Sequence, residues 1–293
     1  MSGAFAAALA TALGRPVEAE PEAAVRGGCI NDCFRWQTAA GPVFVKRCAL
    51  DRSWLLETEQ DGLERLRAAG AIRAPAALAA GGAGDEAFLV LEWLDLQPAD
   101  DAADANLGAA LARLHETHGP SFGLERDNAI GATAQPNGRG ENWPGFWRER
   151  RLGFQLELAA RNGYTGRLQN RGRRLLENVG AFFKEYRPLP SLLHGDLWNG
   201  NRATLVDGTP VVFDPAVYYG DPEADIAMTR LFGGFGPEFY AAYAAVRPPD
   251  AGAATRHDLY NLYHVLNHLN LFGGSYRGQA ENMIDRLLAA VGH

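Results

Sequence analysis

His194, Asp196, Asn201 and Asp214 fall within one short stretch, as H-x-D-x-x-x-x-N followed by a second aspartate. Two carboxylates and an amide offer hard oxygen donors, which suit a cation such as Mg²⁺ and make a poor zinc site. Taken singly, each is better explained structurally, Asp196 and Asn201 as turn caps and Asp214 as the end of a strand. The segment between them links the set. Ala203–Val206 and Pro210–Phe213 read as strands, and Asp207-Gly208 between them is a strong hairpin signal. Closing that hairpin brings its open ends together. Asn201 and Asp214 must then stand side by side, with His194-Gly195-Asp196 just upstream.

Lys46 is a second anchor. Of 28 basic residues only Lys46 and Lys184 are lysines, and Lys46 ends the apolar run Val43–Lys46, where a compact ammonium is wanted. The competing reading is a lysine that snorkels to the surface. Ser53–Ala69 predicts an amphipathic helix, N-capped by Ser53 and stopped by Gly70. At about 100° per residue, Glu59 falls near the centre of the stripe formed by Leu55, Leu56, Leu63 and Leu66. A carboxylate on a core-facing stripe is costly unless paired, and Lys46 on the preceding strand is the natural partner. Such a pair is either purely structural or a grip on nucleotide phosphates.

The elements that must position these residues divide unevenly. Strand signals run through residues 22–47, broken by a turn at Gly27-Gly28 whose N–H groups could cover phosphates. Phe88–Leu94 is a continuous apolar strand, and the acidic, Ala-rich Asp95–Ala105 reads as a connector. The expected boundary divides a mixed strand-and-helix part, 1–94, from a mostly helical part, 95–293, holding one strand pair. The fold class is α+β, a small mixed sheet with one main helix beside a larger helical lobe. Ala4–Leu13 lacks a basic n-region and predicts a short surface helix rather than a leader, consistent with a cytoplasmic protein. The chain has 293 residues, 47% hydrophobic and 22% charged, with net charge -7 and no basic block, which disfavours nucleic-acid and membrane-surface partners. Three cysteines make no disulfide scaffold. Neither G-x-x-x-x-G-K-[ST], G-x-G-x-x-G, G-x-S-x-G nor H-E-x-x-H occurs. His264 and His268 stand four apart, but Tyr260–Phe272 interleaves them with aromatics and asparagines, so they read as packed histidines lining a pocket, not as a metal site.

The spacing of His194, Asp196 and Asn201 is that of a kinase catalytic loop, and HGDLWNGN (His194–Asn201) resembles the loop of the fructosamine kinase family. That family belongs to the aminoglycoside phosphotransferase and choline kinase branch of the protein-kinase-like fold. Trp198 is the more specific part of the match. GGCIN (Gly27–Asn31), E-x-x-G-L (Glu59–Leu63), FDPA (Phe213–Ala216), YYGDPEADIAM (Tyr218–Met228) and NHLNLFG (Asn267–Gly273) are also similar.

The resemblance implies a two-lobed kinase that uses ATP and Mg²⁺ to phosphorylate the sugar 3-hydroxyl of a ketosamine. Asp196 would orient or deprotonate the hydroxyl, and Asn201 and Asp214 would bind Mg²⁺. Lys46, paired with Glu59, would hold the α- and β-phosphates under the Gly27-Gly28 turn. Glu92, Trp93 and Leu94 would form the hinge that meets adenine. Trp198 and His268 would line the sugar pocket, and Asp225 would brace the catalytic loop. Cys29 would be a redox switch, the protein being a monomer or a redox-linked homodimer. H-G-D in place of H-R-D, D-P-A in place of D-F-G, and the lack of A-P-E favour a small-molecule acceptor. The alternatives are an aminoglycoside, choline or homoserine kinase, or a non-catalytic nucleotide-binding regulator.

Overall fold

The computed structural model describes residues 3–25 and 31–293; the turn with Gly27, Gly28 and Cys29 lies outside the described residues. Helix α1 (Gly3–Leu13) is followed by strands β1 (Ala23–Ala24), β2 (Asp32–Thr38) and β3 (Gly41–Ala49), helix α2 (Ser53–Ala69), and strands β4 (Ala77–Ala83) and β5 (Glu86–Glu92). The strands form one sheet in the order β1-β2-β3-β5-β4. It is antiparallel throughout, not mixed. Two-residue connections at 39–40 and 84–85 can only turn the chain back on itself.

Alternation along the central strands explains both faces of this sheet. On β3 and β5, Val43, Val45, Phe88 and Val90 point to one side and meet Phe5 and Leu9 of α1. Cys48, Ala87, Leu89 and Leu91 point to the other and meet Leu56, Leu63 and Leu66 of α2. Strands buried on both faces read as unbroken apolar runs, which is why Phe88–Leu94 shows no alternation. Helix α1 lies at the surface as expected, with Gly3, Ala4, Ala7, Thr11 and Ala12 exposed and the face of Phe5 and Leu9 fully buried against the sheet. Strand β4 was not legible in advance because its Ala/Gly sequence has little strand propensity. Ser53 is the first residue of α2 rather than its cap, since a 3₁₀ turn, Leu50–Arg52, runs straight into the helix. Gly70 does end it, at φ 67°.

Beyond β5, short strands stitch helices together. β6 (Leu96–Gln97) joins a sheet with β10 (Arg202–Leu205) and β11 (Pro210–Val212); β7 (Asn128–Ile130) pairs with β8 (Thr133–Gln135), and β9 (Ser191–Leu193) with β12 (Tyr218–Gly220). The expectation of one strand pair here is thus corrected, because segments of two or three residues carry no readable period. The helices are α3 (Asp101–Leu114), α4 (Trp143–Phe146), α5 (Phe154–Arg161), α6 (Arg167–Asn178), α7 (Glu223–Leu231), α8 (Pro237–Val246), α9 (Ala253–Phe272) and α10 (Arg277–Ala290). Half of the expected connector Asp95–Ala105 belongs to α3, which Asp100 caps by accepting the Ala103 N–H at 2.8 Å. No helix among the described residues is long and apolar enough to cross a membrane.

Candidate active site

A cleft of about 840 Å³ lies where the sheet and α2 face the β9–β12 region and α9. Lys46 reaches it because β3 places residue 46 on the α2 side of the sheet. Its Nζ is 2.6 Å from Glu59 Oε1 and also contacts Asp214 Oδ1. Both Lys46 and Glu59 are buried. Burial alone would discharge the ammonium, but Asp214 and Glu59 outweigh it and raise its pKa. The pair inferred from the helical stripe is therefore a three-membered cluster. Gly62, three residues beyond Glu59, brings α2 close to the segment bearing Asp214, for a Cβ there would stand 3.0 Å from Pro215 Cγ.

The β10–β11 hairpin works as its sequence predicts. The Phe213 N–H donates to the Asn201 carbonyl at 3.1 Å across its mouth. Asn201 Nδ2 donates to the Asp196 carbonyl at 2.9 Å and to Asp196 Oδ2 at 3.3 Å. Asp214 adopts φ 54°, alone among described non-glycine residues in the left-handed region, a strain of the kind that collects at functional sites. Enclosure in the cleft, followed by the charge of Asp214, pushes the Asp196 carboxyl up to about 7 against the opposing Asn201 contact.

Asp225 organises the loop from below. Its Oδ2 accepts the His194 N–H and its Oδ1 the Gly195 N–H, both at 2.8 Å. His194 Nδ1 accepts the Asp196 N–H at 3.3 Å, which leaves Nε2–H to donate to the Phe213 carbonyl at 3.1 Å. That pattern defines the neutral tautomer, in keeping with a pKa lowered by burial. Gly195 sits at φ 83°, and a Cβ there would lie 2.0 Å from the Ala216 carbonyl oxygen. Gly195→Ala is expected to cost at least about 2 kcal/mol in overpacking and backbone strain, seen as a lower Tm, and to abolish turnover by moving Asp196.

Two residues behind Asp225 were missed by the sequence reading. His115 Nε2 lies 3.1 Å from Asp225 Oδ2, and His115 Nδ1 lies 2.8 Å from the Tyr243 hydroxyl. A signal did exist. His115 continues the Leu107–Leu111 stripe of α3, so a polar group on a core face asks for a partner, as Glu59 did. Burial alone would raise the Asp225 pKa, but the His115 hydrogen bond and the loop N–H groups hold it below the ordinary carboxylate value. A depressed folded pKa contributes stability that is complete above the unfolded value of about 3.9 and is lost as pH falls through the folded one. The stability gap between wild type and Asp225→Asn, measured by denaturant titration, should be full at neutral pH and shrink below about pH 4.

The remaining sequence-predicted residues among those described also line the cleft. Glu92, Trp93 and Leu94 stand at its edge, the strand itself ending at Glu92. The Glu92 carboxylate is pinned by Arg73 Nη2 at 2.6 Å and the Ala76 N–H at 2.5 Å. Trp198 and His268 share a wall with Phe232, Phe272 and Tyr276, which the sequence did not single out. Ring centroids stand 6.1 Å apart for Trp198–Phe232, 4.8 Å for Phe232–His268 and 5.2 Å for His268–Tyr276. His264 is buried, with its pKa pushed down to about 3 chiefly by desolvation, and its carbonyl lies 2.8 Å from His268 Nδ1. Among the described residues no three His, Cys, Asp or Glu side chains stand together as a metal cage. The oxygen donors at hand are those of Asp196, Asp214 and Asn201. The Asn201 amide nitrogen is committed to Asp196, which leaves Oδ1 for a cation, and the mutual repulsion of Asp196 and Asp214 favours one. The set fits a hard divalent ion.

Fold and cleft together define a phosphotransferase of the protein-kinase-like type. The family model for fructosamine kinase matches residues 1–290, and the chain belongs to that family. It is 41% identical over 276 residues to a probable ketoamine kinase of Synechocystis sp., covering 94% of this chain and 92% of that one. With the chloroplastic protein-ribulosamine 3-kinase of Arabidopsis thaliana the identity is 41% over 271 residues, 90% of this chain and 81% of the other. A crystal structure assigned as a fructosamine-3-kinase from Thermobifida fusca superposes with TM-score 0.85 at 31% identity, covering 98% and 99% of the two chains. A type I macrolide 2'-phosphotransferase shares the fold alone, with TM-score 0.61 at 15% identity over 99% of this chain and 96% of its own. As a member of a kinase family, the protein takes ATP as the phosphoryl donor.

Proposed function

We propose that this kinase phosphorylates the sugar 3-hydroxyl of ketosamines, the fructosamine and ribulosamine adducts of amines, and so acts in the removal of sugars from glycated amines in the cytoplasm. The observation that carries the reading is the convergence of Asp196, Asn201, Asp214 and the Lys46–Glu59 pair in one cleft beside the aromatic wall of Trp198. In this reading residues 1–94 serve the nucleotide and residues 95–293 the acceptor. Backbone groups of Glu92–Leu94 meet adenine, and Lys46, oriented by Glu59, grips the phosphates. Asn201 and Asp214 would hold Mg²⁺, which when bound neutralises charge on the transferring group. Asp196 accepts the hydrogen bond of the attacking hydroxyl and aims its oxygen at the γ-phosphorus. Trp198 and His268 flank the sugar, and the aromatic wall excludes water that would otherwise compete as acceptor. Asp225 holds the loop N–H groups so that Asp196 keeps its place.

An aminoglycoside acceptor is the weaker reading. The carboxylates among the described residues of the cleft are Glu59, Glu92, Asp196 and Asp214. All four are engaged by the cluster, by Arg73 or by the catalytic loop, leaving none to clamp a polycation. An ADP-release assay with Mg·ATP decides between them, run on fructosyl-lysine, ribulosyl-lysine, kanamycin, choline and homoserine with Asp196→Asn as the blank. Turnover on the ketosamines is expected. Turnover confined to kanamycin, choline or homoserine would overturn the substrate.

A further inference from the structure

A second cavity of about 520 Å³ shares no lining residue with the active-site cleft. It is bounded by the turn after α3, residues 186–189, α7, α8 and the start of α9, and its volume is in the range of small-molecule sites. Tyr186, Tyr240 and Tyr243 face it together with Pro222, Pro248 and Pro249. These are flat apolar surfaces suited to a ring. Leu189 and Val246 at its rim are 58% and 54% exposed, so nothing among the described residues covers it.

Around the cavity the carboxylates Glu116, Glu223 and Asp250 balance Arg230, Arg247 and Arg256 in number, but their pairing leaves Arg230 without a carboxylate. Glu116 pairs with Arg247, while Glu223 and Asp250 both pair with Arg256. Arg230 has no carboxylate partner among the described residues, and its guanidinium lies over Tyr240, 3.8 Å from the ring centroid. His257, in the same wall, is held neutral, its pKa lowered to about 4 by burial and by Arg230 and Arg256.

The cavity also touches the support of the catalytic loop. Tyr243 lines it, and the Tyr243 hydroxyl is the outer end of the chain through His115 to Asp225 and the N–H groups of His194 and Gly195. Arg247, another wall residue, has Nη1 3.5 Å from the His115 carbonyl. We propose that this cavity is a regulatory site for a small anion carrying a flat apolar ring, such as an aromatic carboxylate or sulfonate, and that its occupancy lowers phosphoryl transfer through Tyr243 and His115. The ring stacks among the tyrosines and the anionic group meets Arg230. Arg247 is drawn toward the same charge, which loosens the contacts that set His115, and the loop bearing Asp196 loses part of its brace.

The probe is anilinonaphthalene sulfonate, an aromatic anion that brightens in apolar surroundings, titrated at saturating ATP so that the nucleotide site is closed to it. Wild type should show one saturable site, and the probe should lower kcat/KM for fructosyl-lysine by about fivefold or more, the low end of usual coupling between sites. Arg230→Glu, with Arg230→Gln as a milder second variant, should lose the saturable signal while keeping the kcat of the probe-free enzyme. Tyr243→Phe should still bind the probe yet lose the inhibition, an outcome that a merely structural tyrosine would not give. Undiminished binding by both Arg230 variants, unchanged kcat/KM in the probe-saturated wild type, or inhibition that ATP relieves would each overturn the proposal. The fluorescence titration needs no acceptor, so it stands whether or not fructosyl-lysine is the substrate.

Discussion

Asp196→Asn is expected to lower kcat by about two to four orders of magnitude, the usual span for a lost acid–base group, with the KM for ATP nearly unchanged. Asparagine keeps the size of the side chain and an oxygen for the Asn201 amide, so the loop should stay in place. The amide cannot take the proton of the acceptor hydroxyl, nor draw its hydrogen bond as a charged oxygen does. The present location of the side chain explains why the effect should be confined to chemistry. Asp196 belongs to the loop tied down by Asp225, whereas Lys46 and the Glu92–Leu94 edge stand on the opposite side of the cleft. Initial-rate kinetics with both substrates varied provide the check. A variant within about tenfold of wild-type kcat would remove Asp196 from this role.

Lys46→Met should have two separable effects. Loss of an ammonium that hydrogen-bonds charged oxygens is worth about 1.5–3 kcal/mol per contact, so the KM for ATP should rise by about ten- to a hundredfold. The second effect is on stability. Glu59 is buried at 2.6 Å from Lys46, and without it would be an uncompensated charge in the core. Breaking a buried pair from one side costs about 3–5 kcal/mol. Adding Glu59→Gln should restore part of that loss, because one of the two carboxylates that the lysine leaves behind is then neutral and only Asp214 stays charged, while the KM for ATP stays high. Denaturant titration and nucleotide kinetics on the two single variants and the double variant separate the roles. If the double variant is no more stable than Lys46→Met, the pair does not act as a unit.

The three-membered cluster shows how far reading from sequence reaches. Glu59 was legible as a carboxylate on an apolar stripe, and Lys46 as its partner from the neighbouring strand. The contact of Lys46 with Asp214 joins residues 168 positions apart, and no local pattern encodes it. It arises because β3 alternation turns Lys46 toward α2 while Gly62 lets α2 approach Pro215. The brace behind the catalytic loop divides in the same way. Asp225 came from the family resemblance, but its partners His115 and Tyr243 come from other helices brought together by packing.

The sequence by itself determined the candidate residues Lys46, Glu59, Asp196, Asn201 and Asp214 and the local device that gathers part of them. A hairpin with Asp207-Gly208 at its turn closes through short-range hydrogen bonds and so brings Asn201 and Asp214 together. Only the tertiary structure decided where Lys46, the wall of Phe232, Phe272 and Tyr276, and the second cavity would stand. Those depend on which faces of distant helices and strands are buried against one another. Burial is driven by apolar area and has no direction of its own, so a periodic stripe tells which side is hidden but not what hides it.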